Sequence, residues 1–231
     1  MSDDAEHSAV SKDRAVSADG VNPSVRATIL ATEHWSLLGS RSTTWSEVMS
    51  RITIHLTVTS AALVVLALVA QSTGFGPAFK VLSIGLASGV LVLGTLTGIR
   101  VLNASVDDGC FIVGMNRIRA AYLELDPGLA KFLVTSAYDD QAGVMGTYLM
   151  GTQRSVLSHV LGSTSMFMNV TNSIVAGILG ALVANAAGAR AALVAVLGSA
   201  AFLAYFAGAV LTATRSFRRP PMPTHFPTPT R

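Results

Sequence analysis

The chain has 231 residues, of which 51% are hydrophobic and only 13% charged, and its net charge is +3. That is too apolar for an ordinary soluble domain and too short for a large transporter. It suits a chain that keeps about a third of its length in lipid. The single cysteine, Cys110, excludes an internal disulfide framework and any CxxC zinc or redox motif.

Residues 1–26 are polar, mixed in charge and without an apolar h-region. They predict a disordered tail with no cleavable signal peptide, so that the first span itself directs insertion. Residues 27–51 read as a helix with Leu30, Trp35, Leu38, Trp45, Val48 and Met49 as its apolar positions. Two tryptophans just before a span suit the headgroup region. The segment is therefore expected to be an interfacial helix or a cytosolic extension of the first span.

Four apolar runs follow, at 52–70, 81–99, about 166–187 and 191–213, and none contains Asp, Glu, Lys or Arg. Each is close to the ~20 residues that a helix needs to cross hydrocarbon. They predict transmembrane hairpins over 52–100 and 163–215. Gly74, Gly76 and Pro77 turn the first hairpin, and the short stretch 186–190 turns the second.

Between the hairpins, 101–162 reads as a cytosolic helical segment. Ile112, Met115, Ile118, Ala121, Tyr122 and Leu125 recur at helical spacing, so the second span continues outward, with a break expected at Asp107-Asp108-Gly109. Asp126 suits an N-cap and Pro127 the first position of a further helix. Another short helix is expected near 152–160. The Pro/Thr-rich tail, 216–231, is expected to be extended and disordered. The fold class is all-α: a four-span transmembrane helical bundle of two antiparallel hairpins with a small cytosolic helical cap, and no strands.

Fourteen of the sixteen basic residues lie before the first span, between the hairpins, or after the last span; only Lys80 and Arg190 fall in the hairpin turns. Basic residues near span ends set orientation. The distribution predicts both termini in the cytoplasm, in a cytoplasmic (inner) membrane. It explains the basic excess as topology and anionic-headgroup contact, with no nucleic-acid partner.

His55 is the only ionisable side chain inside a span. Such a residue is a functional candidate, although near a span end a neutral histidine also serves as a plain hydrogen-bonding partner between helices. With Thr59, Asn169 and Asn172 it forms a candidate polar layer in the cytoplasmic halves of the spans. Small residues at four-residue spacing let helices approach closely. Gly85, Gly89, Gly94, Gly98, Gly180, Ala184 and Gly188 form the candidate packing faces. The Gly85/Gly89 and Gly94/Gly98 pairs lie about half a turn apart around the helix, one suited to the bundle and the other to a second protomer.

Arg117, Arg119 and Tyr122 are candidate contacts for a headgroup or partner, or else pair with Glu124 or the aspartates. Asp107, Asp108, Asp139, Asp140 and His159 are the conceivable acid–base or metal set, but their spacing fits no compact ligand motif and suits caps and solvated turns. Catalytic, cofactor and metal sites are therefore not expected.

The stretches EHWSLLGSRSTTWSEVMSRI before the first span and GMNRIRAAYLELDPG after the second are similar to a group of small bacterial integral-membrane proteins of unknown function. That resemblance implies a location and no activity. In layout alone, a membrane hairpin followed by cytosolic helices resembles SLATT-type membrane effectors, which implies pore formation; those have two spans rather than four. The reading expected first is a non-enzymatic interaction or scaffold subunit, with the cytosolic helices as its partner surface, self-associating or joined to another membrane protein in the lipid bilayer. An oligomeric pore or small channel comes second and a membrane-embedded lipid-modifying enzyme third.

Overall fold

The computed structural model describes residues 22–150, 155–217 and 222–229. The disorder expected of 1–21 falls outside the described residues. Within them the fold is all-helical, without strands, and four of its helices are long and apolar enough to cross a membrane. The chain is a multi-pass membrane protein.

Helix α1 runs without interruption over Pro23–Thr73, 51 residues, and α2 over Pro77–Leu125, 49 residues. At 1.5 Å per residue each is roughly 75 Å long, more than twice a hydrocarbon thickness of about 30 Å. Only part of each helix can therefore sit in lipid. The segment 27–51 is not a separate interfacial helix, and its start lies four residues earlier than expected, where the Asn22 side chain accepts from the Ser24 amide at 3.0 Å. Nor is α2 broken at Asp107-Asp108-Gly109. Asp108 is only 3% exposed, and the Trp45 indole N–H donates to its Oδ1 at 2.7 Å, which ties α1 to α2 there. Trp45, assigned above to the headgroups, is thus an interhelical donor.

Asp126 caps a short 3-10 helix, Pro127–Phe132, as its position before Pro127 predicts. Helix α3, Gln141–Leu149, is an element that the sequence reading did not place. Helix α4, Val156–Leu161, leads into α5, Thr164–Ala186, and α6, Ala191–Phe217.

The chain divides into two compact units. The apolar unit comprises Ser42–Gly109 and Gln153–Met222; the polar unit comprises Met1–Arg41, Cys110–Thr152 and Pro223–Arg231. All four apolar runs belong to the first. Its buried cluster is Val48, Ile52, Val101, Ala104 and Met168, with Trp45 packed against it. Glu47 joins α1 to α2 by accepting from Arg100 at 2.7 Å and from Arg51 at 2.9 Å. Those two hydrogen bonds push its carboxyl down to about 2, so the clasp holds its charge throughout mildly acidic conditions, although its exposure keeps its energetic weight small.

The second hairpin closes where Gly188 adopts φ +77°, a conformation that L side chains rarely adopt. Gly188 is therefore a turn residue and not part of a packing face; nothing lies within 4 Å of a Cβ built there. The faces of α5 and α6 meet instead at Gly177, Gly180 and Gly198. A Cβ at Gly198 would stand 3.0 Å from the Gly177 carbonyl oxygen and 3.1 Å from Ala181 Cβ. Ala184 is buried at 5% exposure.

Replacing Gly198 by Leu forces these backbones apart and is expected to destabilise the full chain by about 1–3 kcal/mol, seen as a lower unfolding temperature in detergent. Gly208→Leu, where nothing lies within 4 Å of the added Cβ, is expected to leave that temperature unchanged. Equal losses in the two variants would contradict this packing.

Candidate functional site

Within the apolar unit, three spans meet at a polar junction. Asn172 on α5 is 1% exposed, and its Nδ2 donates to the Gly94 carbonyl on α2 at 2.8 Å. His55 on α1 is fully buried. A Cβ on Gly94 would stand 2.1 Å from Asn172 Oδ1 and 2.8 Å from His55 Cε1. Glycine is therefore required at 94 for both side chains to reach the axis of α2. Gly98, with Asn172 Nδ2 at 3.4 Å from such a Cβ, continues the same face.

Three buried polar atoms in this junction have no protein partner: His55 Nδ1, His55 Nε2 and Asn172 Oδ1. An unpaired polar atom costs about 1–3 kcal/mol even in a protein interior, which marks the junction as the costly point of the apolar unit. The other two members of the expected layer stand apart. Thr59 donates to the His55 carbonyl of its own helix at 2.8 Å. Asn169 is engaged by Ser173, whose Oγ donates to its carbonyl oxygen at 2.7 Å. One further contact ties α2 to α6: the hydroxyls of Thr95 and Tyr205 are 2.9 Å apart.

Half a turn from Gly94 and Gly98, the other glycine pair is open. Gly85 and Gly89, with Val58, Ala61, Ala62, Val65, Leu86 and Val90, line an apolar groove of about 300 Å3 between α1 and α2.

The polar unit is organised around Asn116, which is fully buried. Its Nδ2 donates to the Tyr138 carbonyl at 2.7 Å, while its Oδ1 accepts from Arg119 Nη1 at 2.7 Å and Thr147 Oγ1 at 2.9 Å. Arg117 Nε donates to Asp139 Oδ2 at 2.8 Å. Tyr122 stacks on His34, with ring centroids 6.3 Å apart. Arg117 and Arg119 thus spend hydrogen bonds on their own unit, and of the alternatives weighed for Arg117 the structure takes the pairing with an aspartate. Glu124 pairs with Arg26 at 2.7 Å. Asn116 itself was missed, because a lone asparagine among helical apolar positions gives no signal until its partners are known.

The C-terminal segment 222–229, expected to be extended and disordered, has neither helix nor strand and bends at His225 and Phe226, but it is anchored. Asp139, whose side chain is fully buried, accepts from the His225 amide at 2.9 Å and the Phe226 amide at 2.8 Å. The Asp139 amide in turn donates to the Phe226 carbonyl at 3.0 Å. Asp140 accepts from the Thr228 amide and hydroxyl, each at 2.8 Å, and caps α3 through the Gly143 amide at 2.8 Å. Disorder therefore does not describe 222–229; the proline-rich composition hides a segment whose free amides are bound by carboxylates.

Of the conceivable acid–base set, Asp107, Asp108 and His159 belong to the apolar unit and Asp139 and Asp140 to the polar unit. No group of three metal-ligating side chains is assembled among the described residues. The chain matches no family model, no curated protein and no solved structure.

Burial pushes the Asp139 carboxyl up, but the His225 and Phe226 amides and the Arg117 guanidinium outweigh it, and the group lies below its usual value. The Gly143 and Thr228 amides lower Asp140 likewise. A depressed carboxyl contributes stability that is present above its ordinary pKa of about 3.9 and is lost as pH falls through the depressed value. A nitroxide on Thr224→Cys, in the full chain with Cys110→Ser, is expected to be immobile at neutral pH and to be released only below the ordinary carboxylate range. A label already mobile at pH 7 would contradict the anchoring.

Proposed function

We propose that this chain is a non-enzymatic subunit of a membrane complex, built to pack laterally against another transmembrane helix. The carrying observation is the pair of glycine ridges on α2. Gly94 and Gly98 are filled by Asn172 from within the chain, whereas Gly85 and Gly89 line an apolar groove that this chain leaves open. Association of helices in lipid relies on close backbone approach at small residues. The ridge fits a helix, and we take its occupant to be a second copy of the chain. The self-pairing of Arg117, Arg119 and Glu124 adds support, since it leaves these groups spent on the unit's own structure.

We infer from the basic-residue distribution that both termini face the cytoplasm across an inner membrane. Cys110 is the only cysteine and is exposed, so it reports this directly. A membrane-impermeant maleimide is expected to label it in inside-out vesicles and not in intact cells; the reverse pattern would overturn the orientation. For assembly, a photo-cross-linker at Ala62 in native membranes is expected to yield a discrete dimer adduct, reduced at least about tenfold by Gly85→Leu. Adducts to lipid alone would defeat the lateral-packing reading.

A second reading, an oligomeric pore, is favoured by the unpartnered nitrogens of His55 and the unpartnered Asn172 Oδ1, and it is what the layout resemblance to SLATT-type effectors implies. It predicts protein-dependent ion flux in sealed liposomes that changes with His55→Leu. Tight liposomes with a normal dimer adduct would leave the subunit reading standing and remove the pore.

A further inference from the structure

The Asp139–Asp140 cradle does more than tie down a chain end. Asp139 is a buried carboxylate, and burying a charge is tolerated only when its oxygens are well supplied with donors. Arg117 supplies one, and the remaining two come from the backbone of a segment more than 80 residues away in sequence: the His225 and Phe226 amides. Asp140 takes the amide and hydroxyl of Thr228, and the Asp139 amide returns a bond to the Phe226 carbonyl. The bound stretch is read through its main chain. Donors are required at two consecutive residues and at a third two positions further on, while the residue between them, Pro227, has no amide hydrogen to offer. Prolines at 223, 227 and 229 hold such a stretch extended, which lowers the ordering cost of docking. Beside it lies an open surface hollow of about 400 Å3, bordered by Ala120, Leu123 and Tyr138 of the unit and by His225, Phe226 and Pro227 of the segment itself.

We propose that this cradle is a peptide-recognition site for extended, proline-punctuated segments with that donor spacing, and that the C-terminal segment is its resident ligand, held in place until a partner protein's segment of the same chemistry displaces it. Recognition of this kind uses main-chain hydrogen bonds for affinity and neighbouring pockets for selectivity. It is a different site from the groove between α1 and α2 and does not depend on the occupant of that groove.

The probe is a labelled synthetic peptide with the sequence of residues 222–231. In the full-length chain the resident segment competes at an effective concentration on the order of millimolar, so the unaltered protein is expected to bind micromolar peptide poorly. The full-length His225→Pro/Phe226→Pro variant removes both amides given to Asp139 and leaves the cradle intact. It is expected to bind the peptide saturably, one per chain. Adding Asp139→Asn is expected to weaken binding about tenfold or more, as loss of hydrogen bonds to a charged group implies. A peptide carrying prolines at the positions of His225 and Phe226 is expected not to bind. Binding no better than that of the unaltered chain, or binding indifferent to Asp139→Asn, would overturn the proposal. If the double-proline variant loses its helical circular dichroism, the Thr224→Cys nitroxide in the otherwise intact chain decides the matter. Several millimolar of the natural peptide must then mobilise the label and the proline-substituted peptide must not; an unmoved label rejects the site. Either rejection would leave the Ala62 adduct, and so the subunit reading, untouched.

Discussion

The bond from Asn172 to the Gly94 carbonyl is the contact on which the apolar unit turns. Hydrocarbon offers a carboxamide nothing, so a buried asparagine in a span either finds a partner on another helix or costs several kcal/mol. Asn172 finds the backbone of α2, and it does so only because residue 94 has no side chain. The ring of His55 closes the same space from α1. This hydrogen bond joins α5 to α2 on the Gly94 face, while Gly85 and Gly89, about half a turn away, line the open groove with α1. The Thr95–Tyr205 contact then places α6 against α2, while the glycines of α5 and α6 settle the distance within the second hairpin.

The polar unit follows the same rule with different currency. Its apolar residues, Ile112, Met115 and Ile118, are buried at helical spacing on α2, but its loops are held by polar groups that burial has left with few options. Asn116 must satisfy both ends of its amide, and it does so with Tyr138, Arg119 and Thr147. Asp139 must keep a charge away from solvent, and Arg117 with two tail amides supply the donors. Each of these groups is costly alone and stabilising as a set. That is why a segment rich in prolines and threonines takes a definite path here.

Much of this architecture was legible in advance. The four spans, the turn at Gly74 to Pro77 and the cap at Asp126 follow from hydropathy, glycine and proline, all of which act locally. What stayed hidden depends on distant partners. Trp45 looked like a headgroup anchor because Asp108, its acceptor, is 63 residues away. The Asp107-Asp108-Gly109 stretch looked like a helix break because local propensity disfavours it there, yet the hydrogen bond from Trp45 holds Asp108 within the helix. Helix α3 carries two glycines, Gly143 and Gly146, within nine residues and is started by the Asp140 cap, a signal easily read as a solvated turn. At the candidate site, His55 and Asn172 were readable as polar residues in apolar runs. Their convergence on Gly94, and the separation of Thr59 and Asn169 from them, required the helix rotations that only tertiary packing sets.

Amide hydrogen exchange of the full-length chain in lipid bilayer discs tests the central claim most directly, because it reads both units in one sample. The account predicts strong protection across the four apolar runs together with measurable protection of the isolated amides of His225, Phe226 and Thr228, which sit in a segment with no helix or strand to shield them. Exchange at those three amides at the rate of a free peptide, with the spans still protected, would contradict the claim that buried carboxylates organise the polar unit.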